Sequence, residues 1–126
     1  MTEDRLNEIS GLILGASIEV HRTMGPGLLE SVYEECLYFE IMQLGLKVQR
    51  QVELPIMYKD NILDSKLRLD LLVEGQIIIE LKSVEKIAPI HQAQIITYLK
   101  LSKKTLGLLI NFNETLLKHG FKRYRI

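Results

Sequence analysis

The chain has 126 residues, no formal net charge, a hydrophobic fraction of 47% and a charged fraction of 25%, which bound it to one ordinary globular domain able to bury a core unaided. Its single cysteine, Cys36, excludes an intrachain disulfide, a four-cysteine zinc site and an iron–sulfur cluster held by this chain alone, and fits a reducing cytoplasm. No apolar run reaches the length of a membrane span, and Met1 to Arg5 lacks the layout of a signal peptide, so the expectation is a cytoplasmic domain spanning 1–126 without membrane contact.

Residues 4–23 place Leu6, Ile9, Ile13, Ala16 and Val20 at three- and four-residue spacing, which predicts an amphipathic helix. Gly25-Pro26-Gly27 breaks it. A second helix is expected over 28–44, with Val32, Cys36, Phe39 and Met42 among its apolar positions and Gly45 as its stop. The period then changes. Residues 48–58 read as a strand, with Val52, Leu54 and Ile56 alternating, and Lys59-Asp60-Asn61 reads as a turn. In residues 65–73, Leu67, Leu69, Leu71 and Val73 are expected on one face and Lys66, Arg68 and Asp70 on the other. Glu74-Gly75 marks a hairpin turn into a near-continuous apolar strand over 76–82, suited to the middle of a sheet.

A helix is expected from Pro89 to about Leu101, a buried strand over 105–111 and a short edge strand over 121–126. A helix between two apolar strands is a βαβ crossover, which makes those strands parallel neighbours. The order is ααβββαβ(β), an α/β fold with a central mixed β-sheet flanked by helices. Charge is unevenly spread: residues 1–40 carry eight acidic and two basic side chains, residues 100–126 seven basic and one acidic. The basic end could contact phosphates or be a solvated face.

Three stretches carry candidate chemistry. Asp70 and Glu80 lie on consecutive strands of the expected hairpin, and Lys82 is two residues beyond Glu80, pointing the same way. Two close carboxylates repel unless a cation lies between them, and Mg²⁺ needs only one or two carboxylates with water and substrate phosphate. An ammonium beside such a cation can stabilise charge at phosphorus or orient a water. The alternative is a cross-strand salt bridge on a solvated face.

Glu30 opens the second helix, where an acid also suits the helix dipole, and Tyr33 lies one turn on, where core packing is the competing reading. His91, Gln94 and Tyr98 share a face of the later helix; a glutamine amide can bond a water, a carboxylate or a phosphate. His21 ends the first helix as a candidate phosphate or metal contact, or as a cap on its last carbonyls. No zinc spacing, Walker-type loop or nucleophile elbow is present, and Cys36 reads as a core cysteine.

These residues, taken together, resemble the PD-(D/E)xK nuclease superfamily, and within it the small bacterial GxxExxY proteins. The motif stands as Gly27-Leu28-Leu29-Glu30-Ser31-Val32-Tyr33, preceded by the similar stretch Val20 to Pro26. The core signature falls on Asp70 and Glu80-Leu81-Lys82, with Leu69 where the superfamily name has proline. Gln94-Ile95-Ile96-Thr97-Tyr98 is similar to the Q-h-x-x-Y pattern of the branch with recombination-type exonuclease domains, and His119 to Arg123 also resembles the GxxExxY proteins. The resemblance implies a restriction-endonuclease-like core and metal-dependent hydrolysis of phosphodiester bonds, in DNA. It implies Mg²⁺ or Mn²⁺ on Asp70 and Glu80 with Glu30 completing or supporting the shell, Lys82 as the catalytic lysine, and Gln94 in the active-site network. Tyr98, Tyr33 and His21 would position substrate. The alternative is a silent or partner-dependent module binding nucleic acid or protein on the same fold, as a homodimer or with a larger partner.

Overall fold

A computed structural model describes residues 1–126. Helix α1 spans Glu3–Met24 and α2 spans Glu30–Gln43. Strands β1 (Val48–Tyr58), β2 (Asn61–Val73) and β3 (Ile77–Lys82) follow, then α3 (Pro89–Ser102), β4 (Leu106–Asn111) and β5 (Phe121–Arg125), with a short 3₁₀ turn at Leu117–Gly120. The five strands form one mixed sheet in the order β1-β2-β3-β4-β5, in which only β3 and β4 are parallel. The α/β architecture with its single βαβ crossover is therefore as the sequence predicts. No helix is long and apolar enough to cross a membrane.

Local chemistry explains the elements. Thr2 caps α1, its hydroxyl accepting from the Arg5 N–H at 3.1 Å, and Leu6, Ile9, Ile13, Ala16 and Val20 are all buried, as their spacing requires. Lys59 and Asp60 both take positive φ, the geometry of a two-residue hairpin turn whose twist suits the flanking strands. That turn starts β2 at Asn61, four residues earlier than the alternation from 65 suggests. Helix α3 closes tightly on the sheet because Gly107 on β4 has no side chain: a Cβ there would lie 2.9 Å from the Ile95 side chain.

One expectation is corrected, and α2 buries a face that its apolar positions do not single out. The buried face of α2 is Tyr33, Leu37 and Ile41, each fully buried; Phe39 and Met42 are exposed, and Val32 and Cys36 are half-buried beside α1. Apolar residues occur all around α2, so its period does not select a face. In β2 the four alternating apolar residues do not share one face. Leu71 and Val73 join the main core under α1 and α2, whereas Leu69 packs with Leu72, Ile78 and Leu99 in a smaller cluster under α3.

Side chains change faces between Leu69 and Leu71, and β1 does the same. Val48 belongs to the main core and Val52 and Leu54 to the α3 side, with Gln51 between them at φ 49°. The register is unbroken across this point, Arg50 opposite Leu71 and Val52 opposite Leu69, so both strands turn over together. Here too β2 parts from β3: their pairing ends at Leu71 opposite Ile79. Beyond it, β1 and β2 continue alone as a two-stranded ribbon.

Candidate active site

The parting of β2 and β3 builds the site. Asp70 is the first residue of β2 without a partner on β3, and its side chain substitutes for the missing ladder: Oδ2 accepts from the Leu81 N–H at 2.8 Å. This draws Asp70 against Glu80. Ile79 and Leu81 flank Glu80 and point into the main core, so Glu80 and Lys82 occupy the opposite face, toward α3. The carboxylates meet across the seam that Asp70 opens, rather than side by side on one flat face as the sequence suggests.

Glu80 is only 5% exposed, and its Oε1 is buried with no hydrogen-bond partner. Burial, then the charge of Asp70 and a hydrogen bond with it, push the Glu80 carboxyl up to about 10; Lys82 opposes this only partly. Tyr98 on α3 feels the same pair: burial first, then Glu80 and Asp70, raise its phenol. With both groups ionised, the pair would carry one negative charge more than Lys82 neutralises. An orphaned buried carboxylate oxygen against a second carboxylate is a donor set for a hard divalent cation, so the residues present fit Mg²⁺ or Mn²⁺.

The other candidates lie at varying distances from this centre. Glu30 reaches the end of β3, one oxygen accepting from the Ser83 N–H at 3.3 Å, while the Ser83 hydroxyl donates to the Leu28 carbonyl at 2.6 Å. These bonds moor the start of α2 beside Lys82. Glu30, Ser31, Glu34, Gln51, Asp70 and Leu81 line one open cavity of about 380 Å³. Yet no three His, Cys, Asp or Glu side chains converge closely enough to hold one ion, so Glu30 stands in the wall of the site apart from the Asp70–Glu80 pair. Gln94 is exposed one turn before Tyr98 on the same helix face, with no partner within the chain.

Two candidates have other duties. Tyr33 is fully buried, stacked on Phe112 with ring centroids 4.5 Å apart and planes 7° from parallel. Its hydroxyl donates to the Gly25 carbonyl at 2.6 Å and accepts from the Leu28 N–H at 3.0 Å. It pins the turn in which Gly25 and Gly27 take φ of 75° and 94°, and has no surface to offer a substrate. Glycines, glutamate and tyrosine in G-x-x-E-x-x-Y are thereby linked: the tyrosine fixes the turn, and the turn sets where the glutamate stands. His21 Nε2 lies 2.7 Å from the Glu114 carbonyl oxygen, tying α1 to the segment after β4. It does not line the cavity with Asp70.

Sequence reasoning missed Glu34 and Asn111. Glu34, 6% exposed, accepts from Arg50 Nε at 3.2 Å and Gln51 Nε2 at 2.5 Å, fastening α2 to β1 at the turnover point. Its place one turn after Glu30 was the available signal. Fully buried Asn111 accepts from the Val84 N–H at 3.1 Å and donates to the Val84 carbonyl at 2.9 Å, which holds the segment after Lys82. A lone asparagine ending an apolar strand gives no such signal in sequence.

The family model of the PD-(D/E)XK nuclease superfamily matches residues 7–124. The chain belongs to this superfamily. Its members are generally dependent on divalent metal and act on nucleic acid, in keeping with the oxygen-only pair at the seam. A solved structure, the crystal structure of SSO0001, is similar with a TM-score of 0.42 and 21% identity, over 94% of this chain and 77% of that one. No curated protein matches. The mixed five-stranded sheet with three helices is a restriction-endonuclease-like fold.

Proposed function

We propose that this superfamily member is a nuclease that hydrolyses phosphodiester bonds in DNA, with Mg²⁺ or Mn²⁺ held by Asp70 and Glu80. The observation that carries the reading is the buried, unpartnered Oε1 of Glu80 beside Asp70, two residues from Lys82. Bound there, a divalent cation supplies Lewis-acid stabilisation of negative charge on the phosphoryl oxygens.

The chain's own residues supply the rest. Asp70 is held by the Leu81 N–H, so one oxygen has a fixed position before any ligand arrives. Lys82 shares the Glu80 face and is placed to donate to the charge that develops at phosphorus or to orient the attacking water. Gln94 offers an exposed, unpartnered amide one turn before Tyr98, whose hydroxyl is close enough to feel both carboxylates. Glu30 keeps the end of β3 in place through Ser83. The G-x-x-E-x-x-Y arrangement supports placing the chain among the GxxExxY proteins.

The test is cleavage of labelled single- and double-stranded DNA, with RNA alongside, in Mg²⁺ or Mn²⁺. Wild type is expected to cut, and Lys82→Ala or EDTA to abolish cutting while the fold persists. Undiminished cleavage by pure Lys82→Ala would sink the assignment. No cleavage by wild type, with metal binding still seen by calorimetry, would favour a binding module on the nuclease fold.

A further inference from the structure

The ribbon that leaves the sheet at the active site carries an unused cationic track. Lys66 and Arg68 are exposed and alternate with buried Leu67 and Leu69, so they share the outward face of β2 with Asp70. Successive side chains on that face stand about 7 Å apart, comparable with successive phosphates along an extended nucleic-acid strand. The edge of β2 beside them has no strand on the β3 side.

Arg68 stands out among the six arginines. Arg5, Arg22, Arg50 and Arg125 pair with Glu8, Glu19, Glu34 and Glu3, and Arg123 donates to Asn7. Arg68 has no partner within the chain, although Glu53 is opposite it on β1. The basic C-terminal end, by contrast, is partly tied down by α1: Arg125 is paired with Glu3, and Arg123 donates to the Asn7 side chain. An arginine fork is suited to bidentate phosphate contact, and this one stands on β2 two residues from Asp70.

We propose that Arg68 and Lys66 form a phosphate clamp: the nucleic-acid strand runs along the outer face of the ribbon, its phosphates flanking the scissile one bound by Arg68 and then Lys66. This rests on the nuclease reading above and adds the path of the strand to it. Of the exposed cations, these two share a strand and a face with Asp70, which distinguishes them from the scattered lysines near the C-terminus.

The experiment measures binding of a fluorescent DNA oligonucleotide by anisotropy over a salt series, in Mg²⁺ and a Lys82→Ala background so that nothing is cut. The Lys66→Ala/Arg68→Ala pair is compared with Lys103→Ala/Lys104→Ala, which removes equal charge elsewhere. Arg68→Gln serves as a variant retaining side-chain length, and thermal unfolding checks that each folds. The clamp variant is expected to bind about tenfold more weakly, and its log–log salt slope to shrink by nearly two, about 0.9 for each phosphate no longer neutralised. The control pair changes both quantities much less. In the Lys82-containing protein the loss falls on KM more than on kcat.

An unchanged slope in the clamp variant, an equal loss in the control pair, or no DNA binding by the parent overturns the clamp. Cleavage by wild type with ribbon-independent binding removes the clamp and leaves the nuclease. Ribbon-dependent binding by a wild type that never cleaves removes the nuclease and leaves the clamp.

Discussion

Replacing Glu80 by Gln keeps nearly the same shape at the seam and removes the ionisation that the site resists. The carboxyl is raised from an ordinary value of 4.5 to about 10, first by burial and then by Asp70. Between those values the folded metal-free protein keeps a proton that the unfolded chain has lost. Stability is therefore fully present below about pH 4.5 and falls as pH rises toward about 10, with a limiting slope of about 1.4 kcal/mol per pH unit. Local relaxation and water entry lessen the slope, so at pH 8 we expect Glu80→Gln to be more stable than wild type by roughly 2–4 kcal/mol. The new amide can also donate to Asp70.

The assay is urea unfolding of both proteins in EDTA at pH 5, 7 and 9. The difference between them should be small at pH 5 and widen at each step; groups that titrate elsewhere cancel in the difference. Adding Mg²⁺ at about one hundred times its dissociation constant should stabilise wild type by about 3 kcal/mol and leave Glu80→Gln nearly unmoved. A difference that stays constant or narrows with pH would refute the argument, because it would mean that Glu80 ionises freely in the folded protein.

Other residues give independent tests. Tyr33→Phe keeps the stack on Phe112 and removes both bonds to the glycine turn, so unfolding should show a loss of roughly 1–3 kcal/mol, with kcat falling as Glu30 and Ser83 loosen. Gly120→Ala places a Cβ 2.3 Å from the Asn111 carbonyl oxygen, a backbone atom with little room to move, and should cost roughly 1–3 kcal/mol in the same measurement. Gly107→Ala meets the Ile95 and Leu99 side chains at 2.9–3.2 Å rather than backbone and should cost less. The reverse order would contradict the packing described for β4.

Much of the fold is legible in the chain. The buried stripe of α1 follows from spacing alone, and β3 and β4 announce themselves as apolar runs on either side of a helix. Helix α2 is harder, because Val32, Cys36 and Phe39 make as plausible a stripe as Tyr33, Leu37 and Ile41; contact with α1 and the sheet chooses between them. The candidate site was legible as a set of groups: Asp70 and Glu80 meet at one seam with Lys82 two residues on, and the Tyr98 phenol feels both carboxylates. The tasks of Tyr33 and His21 were not, since a hydroxyl that pins a turn and an imidazole that bonds a distant carbonyl leave no trace in spacing.

By itself, the sequence determined which groups could do chemistry here and in what order along the chain, because residue type and local period are properties of short segments. Tertiary structure alone decided how they meet. The turnover at Gln51 and Asp70 requires two strands to change faces together while keeping register, which neither strand encodes separately. The end of β2–β3 pairing exposes Asp70 to the Leu81 N–H, and packing from α3 buries Glu80 beside it. A carboxylate that alternation makes merely polar becomes, through partners remote in sequence, a desolvated group with one oxygen left to fill.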